Sequence, residues 1–220
     1  MSDGVLYKAN ATTWTKSQSK KMNATTISDG VIKHANATTW FRNYPMEVEQ
    51  TATFHATWSN GWRGDGVKLD KGVWQGNILV GSTTNYMGMY GFNKNDIQAF
   101  LKPNTDFGGV TDAKLYIYCY ETTTNGAPDV AIGKHSYTSE PSGTWSGANT
   151  DYGNGATLHV PNQALGGYIV DLPNATITMA DKRTAIGGIA MKGVSATDEN
   201  HGKFRSYSAY DVRLVITVLK

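Results

Sequence analysis

AKLYIYCYE, residues 113–121, alternates without a break. Leu115, Ile117 and Cys119 fall on one side, and Tyr116, Tyr118 and Tyr120 on the other, which is the two-residue period of a β-strand. Neither set is charged. Such a strand is expected to be covered on both faces, or to present one of them as a binding face. DVRLVITVLK, at the end of the chain, repeats the period with Val212, Leu214, Ile216 and Val218 on one aliphatic side. A strong terminal strand is expected to tuck into the sheet beside the first strand of its domain. TATFHATW, residues 51–58, supplies that partner. Ala52, Phe54, Ala56 and Trp58 alternate with Thr51, Thr53, His55 and Thr57.

Between these strands lie further short β-prone runs: GVWQGNILVG, NYMGMYGF, AIGKHSY, ATLHV, GGYIVDL, AIGGIAMKG and GKFRSYS. One segment, NDIQAFLKP, has helical spacing. Asn95 and Gln98 make a capping-box pattern, Ile97, Phe100 and Leu101 share a face, and Pro103 stops the helix. About nine to eleven short strands with one small helix predict an all-β, antiparallel sandwich.

Composition agrees with that class. Of 220 residues, 40% are hydrophobic and only 17% charged, with 24 glycines, 12 tyrosines and 6 tryptophans. Few charges with many aromatic and β-branched residues suit an extracellular β protein and exclude a disordered chain. A net charge of +2 supplies no field of the kind that gathers nucleic acid. No run approaches the ~20 apolar residues of a membrane-spanning helix, so no membrane insertion is expected. The single cysteine, Cys119, rules out an intrachain disulfide and a thiolate metal cluster, and its place on a central strand predicts a buried thiol. Met1 leads into a polar segment without the charged and apolar regions of an export signal, so none is expected at this end.

The chain divides near Glu49. Before it, SDGVLYKANATTW (2–14) and SDGVIKHANATTW (28–40) share ten of thirteen positions, and Asn-Ala-Thr-Thr recurs at residues 10, 23 and 36, a period of 13. Asp-Gly and Asn are turn chemistry, and the runs between them favour strands. One such unit buries almost nothing, so the repeats must stack or pair. Residues 1–49 are therefore expected to form a short β-meander or stalk that promotes oligomerisation, and residues 50–220 the sandwich.

Enzyme constellations are missing: no Gly-x-Ser-x-Gly, no His-Glu-x-x-His and no phosphate loop. The expectation is a non-enzymatic protein without a cofactor. Asp65 and Asp70 in RGDGVKLDKG make a calcium-friendly turn at most. The five histidines share no ligand spacing, although His55 and His135 could meet in space.

The sharper signal is aromatic. Sugars offer apolar C–H faces and ring hydroxyls, so a glycan site needs an aromatic platform beside hydrogen-bonding side chains. WSNGWRGD, read as a turn, supplies Asn60, Trp62, Arg63 and Asp65, with Trp62 expected to be exposed. Tyr86 and Tyr90 follow. Trp58 and Trp74, on strands, are expected in the core. Trp145 and Tyr152, in SGTWSGANTDYGNG, form a second candidate.

MYGFNKNDIQAFL, VTDAKLYIYCYE, AIGKH and FRSYSAYDVRLVITV together resemble jelly-roll modules at the C-terminal ends of tail and minor structural proteins from phages of Gram-positive bacteria. The repeats resemble the short Trp-ended units that often precede such modules. The resemblance spans nearly the whole chain as a pattern of strand lengths and aromatic punctuation. It implies a jelly roll at a tail or fibre tip, a homotrimer on the virion that contacts other tail proteins, and attachment to a host cell-wall glycopolymer such as teichoic acid. Arg63 or Lys68 beside an aromatic would suit such an anionic polymer. The same strand order is similar to carbohydrate-binding jelly rolls found beside polysaccharide enzymes. A purely structural spike or collar piece is the remaining alternative.

Overall fold

The computed structural model describes residues 27–28, 31–32, 48–69, 72–77, 85–101, 109–122, 129–145, 147–161, 163–178, 184–194 and 200–219. Backbone contacts divide the chain into Met1–Val48, with Lys220, and Glu49–Leu219. In the first unit, β1 (Ile27–Ser28) pairs antiparallel with β2 (Val31–Ile32), Ile27 opposite Ile32. Asp29-Gly30 separates them in sequence. The rest of the predicted repeat stalk lies outside the described residues.

The second unit is all-β and antiparallel. Among the described residues its ten strands are β3 (Glu49–Arg63), β4 (Val73–Asn77), β5 (Asn85–Phe92), β6 (Val110–Thr122), β7 (Val130–His135), β8 (Thr150–Leu158), β9 (Gly166–Asp171), β10 (Gly188–Gly193), β11 (His201–Phe204) and β12 (Arg213–Leu219), with one α-helix, α1 (Lys94–Leu101). The long strand β3 organises the rest. Its first half pairs with β12, from Glu49 opposite Leu219 to His55 opposite Arg213. Its second half pairs with β5, from Ala56 opposite Phe92 to Arg63 opposite Tyr86. The first layer continues from β12 to β6 and on to β9. The second continues from β5 through β10 and β7 to β8. β4 and β11 bridge the layers between β5 and β6.

The register slips between Ala56 and Trp58, so Thr57 is an extra residue. A bulge of this kind bends a strand and resets which side chains face inward. Phe54 and Ala56 pack on the main core, whereas Trp58 joins a separate cluster on the far side of the second layer. The simple alternation read across residues 51–58 therefore holds only to Ala56. Gly91 lies opposite Trp58, and a Cβ there would come within 1.9 Å of the indole. That position accepts no side chain while Trp58 stays in place.

Leu115 and Ile117 of β6, Leu214 and Ile216 of β12, and Ile132 and Ile189 of the opposite layer are all fully buried in one core. Burying apolar side chains of this size stabilises by about 1.5–3 kcal/mol each. Cys119 joins them, and burial pushes its thiol up to about 11. Helix α1 covers one end, with Ile97 and Leu101 buried and Phe100 edge-on to Phe54 at 5.8 Å. Its cap is Asn93 rather than Asn95: the Asn93 Oδ1 accepts the Asn95 N–H at 3.1 Å. Gln98 instead accepts the Ala185 N–H at 2.7 Å, tying the helix to a distant segment.

Candidate functional site

Among the described residues, the face left open is the outer side of the β3–β12–β6–β9 layer. Along β6, alternation sends Leu115, Ile117 and Cys119 inward, and Tyr116, Tyr118 and Tyr120 stand half-buried on the outside. Neighbouring rings in this row start about 7 Å apart, twice the rise of a strand residue. Register carries the face sideways. His55, Arg213, Tyr116 and Ile169 make one cross-strand row, and Thr53, Val215, Lys114 and Asp171 the next. Gly167 lies opposite Tyr118, and the Tyr210 hydroxyl fills the space a side chain there would take, 3.3 Å from the position of a Cβ.

Each tyrosine ring is held by a neighbour. The Arg213 guanidinium lies over Tyr116 at 4.5 Å, Tyr210 stacks on Tyr118 at 5.1 Å, and Arg205 lies over Tyr120 at 4.9 Å. Contacts between a cation and a ring are worth about 0.5–1 kcal/mol at exposed sites, and they also orient both partners. The three phenol hydroxyls take no partner among the described residues. The Tyr120 hydroxyl packs towards Gly72, within 3.6 Å of where a Cβ there would stand.

Charges on this face are largely paired. Asp211 takes a hydrogen bond from Arg213 at 3.0 Å and lies 2.6 Å from His55 Nδ1. Lys114 bonds Asp112 at 2.5 Å and lies 3.5 Å from Asp171, and the bond to Asp112 holds its ammonium above the ordinary value. Lys203 bonds Glu121 and lies over the Trp74 ring at 4.7 Å; that bond keeps the Glu121 carboxyl below its usual range. Apolar surface breaks the charges, with Ile169 60% and Leu165 55% exposed.

The residues expected to form a glycan platform sit elsewhere. Asn60–Gly61 is not a turn, because β3 runs on to Arg63. Trp62 is consequently a strand residue and fully buried, contrary to the expectation of exposure. Its indole meets Trp145 at 5.5 Å, and both join Trp58, Met89 and Ala190 in a second cluster, with Tyr152 packed against it. The two stretches read as separate candidates thus converge, but as a sealed packing layer. Residues 136–145 and 147–149 roof it. Asn60, itself buried, donates to Glu140 at 2.6 Å, Lys68 bonds the same oxygen at 2.8 Å, and the Trp145 N–H donates to the Gly66 carbonyl at 3.0 Å. Burial works against the Glu140 charge, but the bonds from Lys68 and Asn60 outweigh it and hold the carboxyl below its usual range.

Tyr90 is in the main core, its hydroxyl donating to the Arg205 carbonyl at 2.8 Å. Tyr86 is buried against Trp74, at 5.9 Å. Arg63 and Asp65 are solvent-facing but are bonded to one another, and the bond lowers the Asp65 pKa. Asp70, its partner in the expected calcium turn, lies outside the described residues. His55 and His135 do not meet: His55 is exposed on the first layer, and His135 is buried between Trp58 and Tyr137. Desolvation lowers the His135 pKa to about 4.

Reading the sequence marked the tyrosine row but not its companions Arg205, Arg213, Tyr210 and Ile169. They reach it only through strand pairing and a turn, which no local pattern reports. No protein-family model matches the chain, and no curated protein matches it in sequence.

Proposed function

We propose that this chain is a non-enzymatic adhesin, the tip of a phage tail or fibre, which binds a host cell-wall glycopolymer through the tyrosine row. The observation that carries this reading is three half-buried tyrosines in line and ring-braced, on a sheet face that no other described strand covers. Rigid aromatic rings offer sugar C–H faces a large contact at little entropic cost, and the hydroxyls supply direction. The topology supports the expected jelly roll. Two layers, β3–β12–β6–β9 and β5–β10–β7–β8, place the first and last strands side by side, as two interleaved Greek keys would. The resemblance of FRSYSAYDVRLVITV and its companion stretches to tail-protein modules supports the virion setting. Fold alone does not assign function, so the argument rests on the face.

The test is sedimentation of the full chain with Gram-positive cell walls, before and after removal of teichoic acid. We expect binding that Tyr116→Ala with Tyr118→Ala lowers at least tenfold without loss of folding. Unchanged binding by that variant would remove the row from the site.

Exposed Ile169 and Leu165 favour a second reading, in which the same face meets another subunit of a structural spike. Light scattering separates the two. A trimer that the paired tyrosine variant turns into monomer would make the face a subunit contact. A trimer that persists in the variant while wall binding falls supports the adhesin. A monomer that binds soluble glycans would favour the carbohydrate-binding module.

A further inference from the structure

Of the basic side chains on the tyrosine face, Lys114, Lys203, Arg213 and His55 each lie beside a carboxylate. Arg205 does not: no carboxylate pairs with it among the described residues. It is nevertheless held in place. Its N–H donates to the Tyr118 carbonyl at 2.9 Å, its carbonyl accepts the buried Tyr90 hydroxyl at 2.8 Å, and its guanidinium rests on Tyr120. The following turn closes through bonds from the Ala209 and Tyr210 N–H groups to the Ser206 carbonyl, at 3.0 and 3.1 Å. That turn sets Tyr210 on Tyr118 and leaves the Ser206 and Ser208 hydroxyls 3.2 Å apart on the surface. An exposed guanidinium that is anchored yet uncompensated has donors directed at solvent and little ordering left to lose on binding.

We infer that Arg205, with the hydroxyls of Ser206 and Ser208, forms an oxyanion subsite at the end of the tyrosine row. It takes a phosphodiester or carboxylate of the polymer whose neutral rings lie along Tyr116 and Tyr118. The planar fork of arginine matches either oxyanion through paired hydrogen bonds. Neutralisation of the other cations on this face confines the anion to this end, so one charged group is read per binding register. This assignment rests on the row being the ligand face.

The experiment measures binding of the full chain to poly(glycerol phosphate), polygalacturonate and neutral dextran, each at low and high salt. Arg205→Gln, Arg205→Lys and the paired Tyr116→Ala/Tyr118→Ala variant are compared. We expect one anionic polymer to bind more tightly than dextran, and which one it is names the source of the oxyanion. Arg205→Gln should weaken that polymer by about tenfold or more, the worth of a charge-assisted hydrogen bond, and flatten the salt dependence. Arg205→Lys should recover part of it. Arg205→Gln binding as tightly as the unaltered chain, while the tyrosine variant loses binding, would overturn the subsite and leave the row standing. Loss in Arg205→Gln alone, with the tyrosine variant unaffected, would overturn the row, and with it the placing of neutral rings along Tyr116 and Tyr118, and leave only an anion site at Arg205. Failure of the unaltered chain to prefer either anionic polymer over dextran would overturn the subsite.

Discussion

Both outer faces of the sandwich are rich in aromatic side chains, and they have opposite fates. Over the second layer, Trp58 and Trp62 are roofed by residues 136–145 and 147–149, Trp145 among them, and all three indoles are buried. Over the first, Tyr116, Tyr118 and Tyr120 stand open beside Ile169. The contrast teaches that aromatic density does not mark a binding face. What decides is whether another segment of the chain has ring chemistry of its own to lay on top. Trp145 and Tyr137 do this for the tryptophans: the Trp145 Nε1–H donates to Tyr137 at 2.9 Å within the roof. Over β6, among the described residues, Tyr210 and two arginines arrive. They brace the rings without covering them.

The contrast breaks or sharpens under three substitutions or conditions, besides the binding tests above. The largest effect belongs to Trp62→Ala. Removing a fully buried indole should cost about 3–5 kcal/mol, measured by urea unfolding, while the folded fraction binds cell walls as before. Lost binding with unchanged stability would instead make the sealed face the site.

The next is pH. His135 stays neutral in the folded chain because burial lowers its pKa to about 4, below the 6.5 of a free histidine. Its Nε2 lies 3.0 Å from the Tyr90 carbonyl, which can only accept, so this nitrogen carries the proton of the neutral ring. Below pH 6.5 the unfolded chain takes up a second proton that the folded chain refuses. Stability is therefore full above 6.5 and declines as pH falls from there towards 4. Between pH 7.5 and 5.5 the loss should be about 1 kcal/mol in denaturant unfolding. A flat profile across that interval would place His135 in contact with water and the tryptophan layer ajar. Because the tyrosine row has no such buried base, wall binding by the folded protein should not follow this decline.

The smallest effect on stability is expected from Ile169→Lys on the open face. A 60% exposed side chain should change stability by no more than about 0.5 kcal/mol. Wall binding, in contrast, should fall severalfold, because the new side chain would stand beside Tyr116. A large loss of stability would mean that this face is covered in solution.

How much of this could be read along the chain follows from which interactions are local. The β6 and β12 alternations name their own buried sides, and Leu115, Ile117, Leu214 and Ile216 are indeed fully buried. The adjacency of the first and last strands follows from their strength as strands. Trp62 misled because Asn60–Gly61 looks like a turn, yet antiparallel pairing with β5 from Trp58 to Arg63 holds the segment extended. That pairing is between distant residues, and so is the bulge at Thr57 that sends Trp58 outward. The tyrosine row was visible as a period, but the arginines that complete it lie 85 or more positions away along the chain and are brought there by register.

The shared strand β3 has a mechanical consequence. Tension entering at residue 49 and resisted at the tyrosine row would run along the strand axis. The seven residue pairs from Glu49–Leu219 to His55–Arg213 would then be loaded together, in shear, and not opened one after another like a zip. A pull along that axis would have to break all seven pairs at one step before the two strands could part.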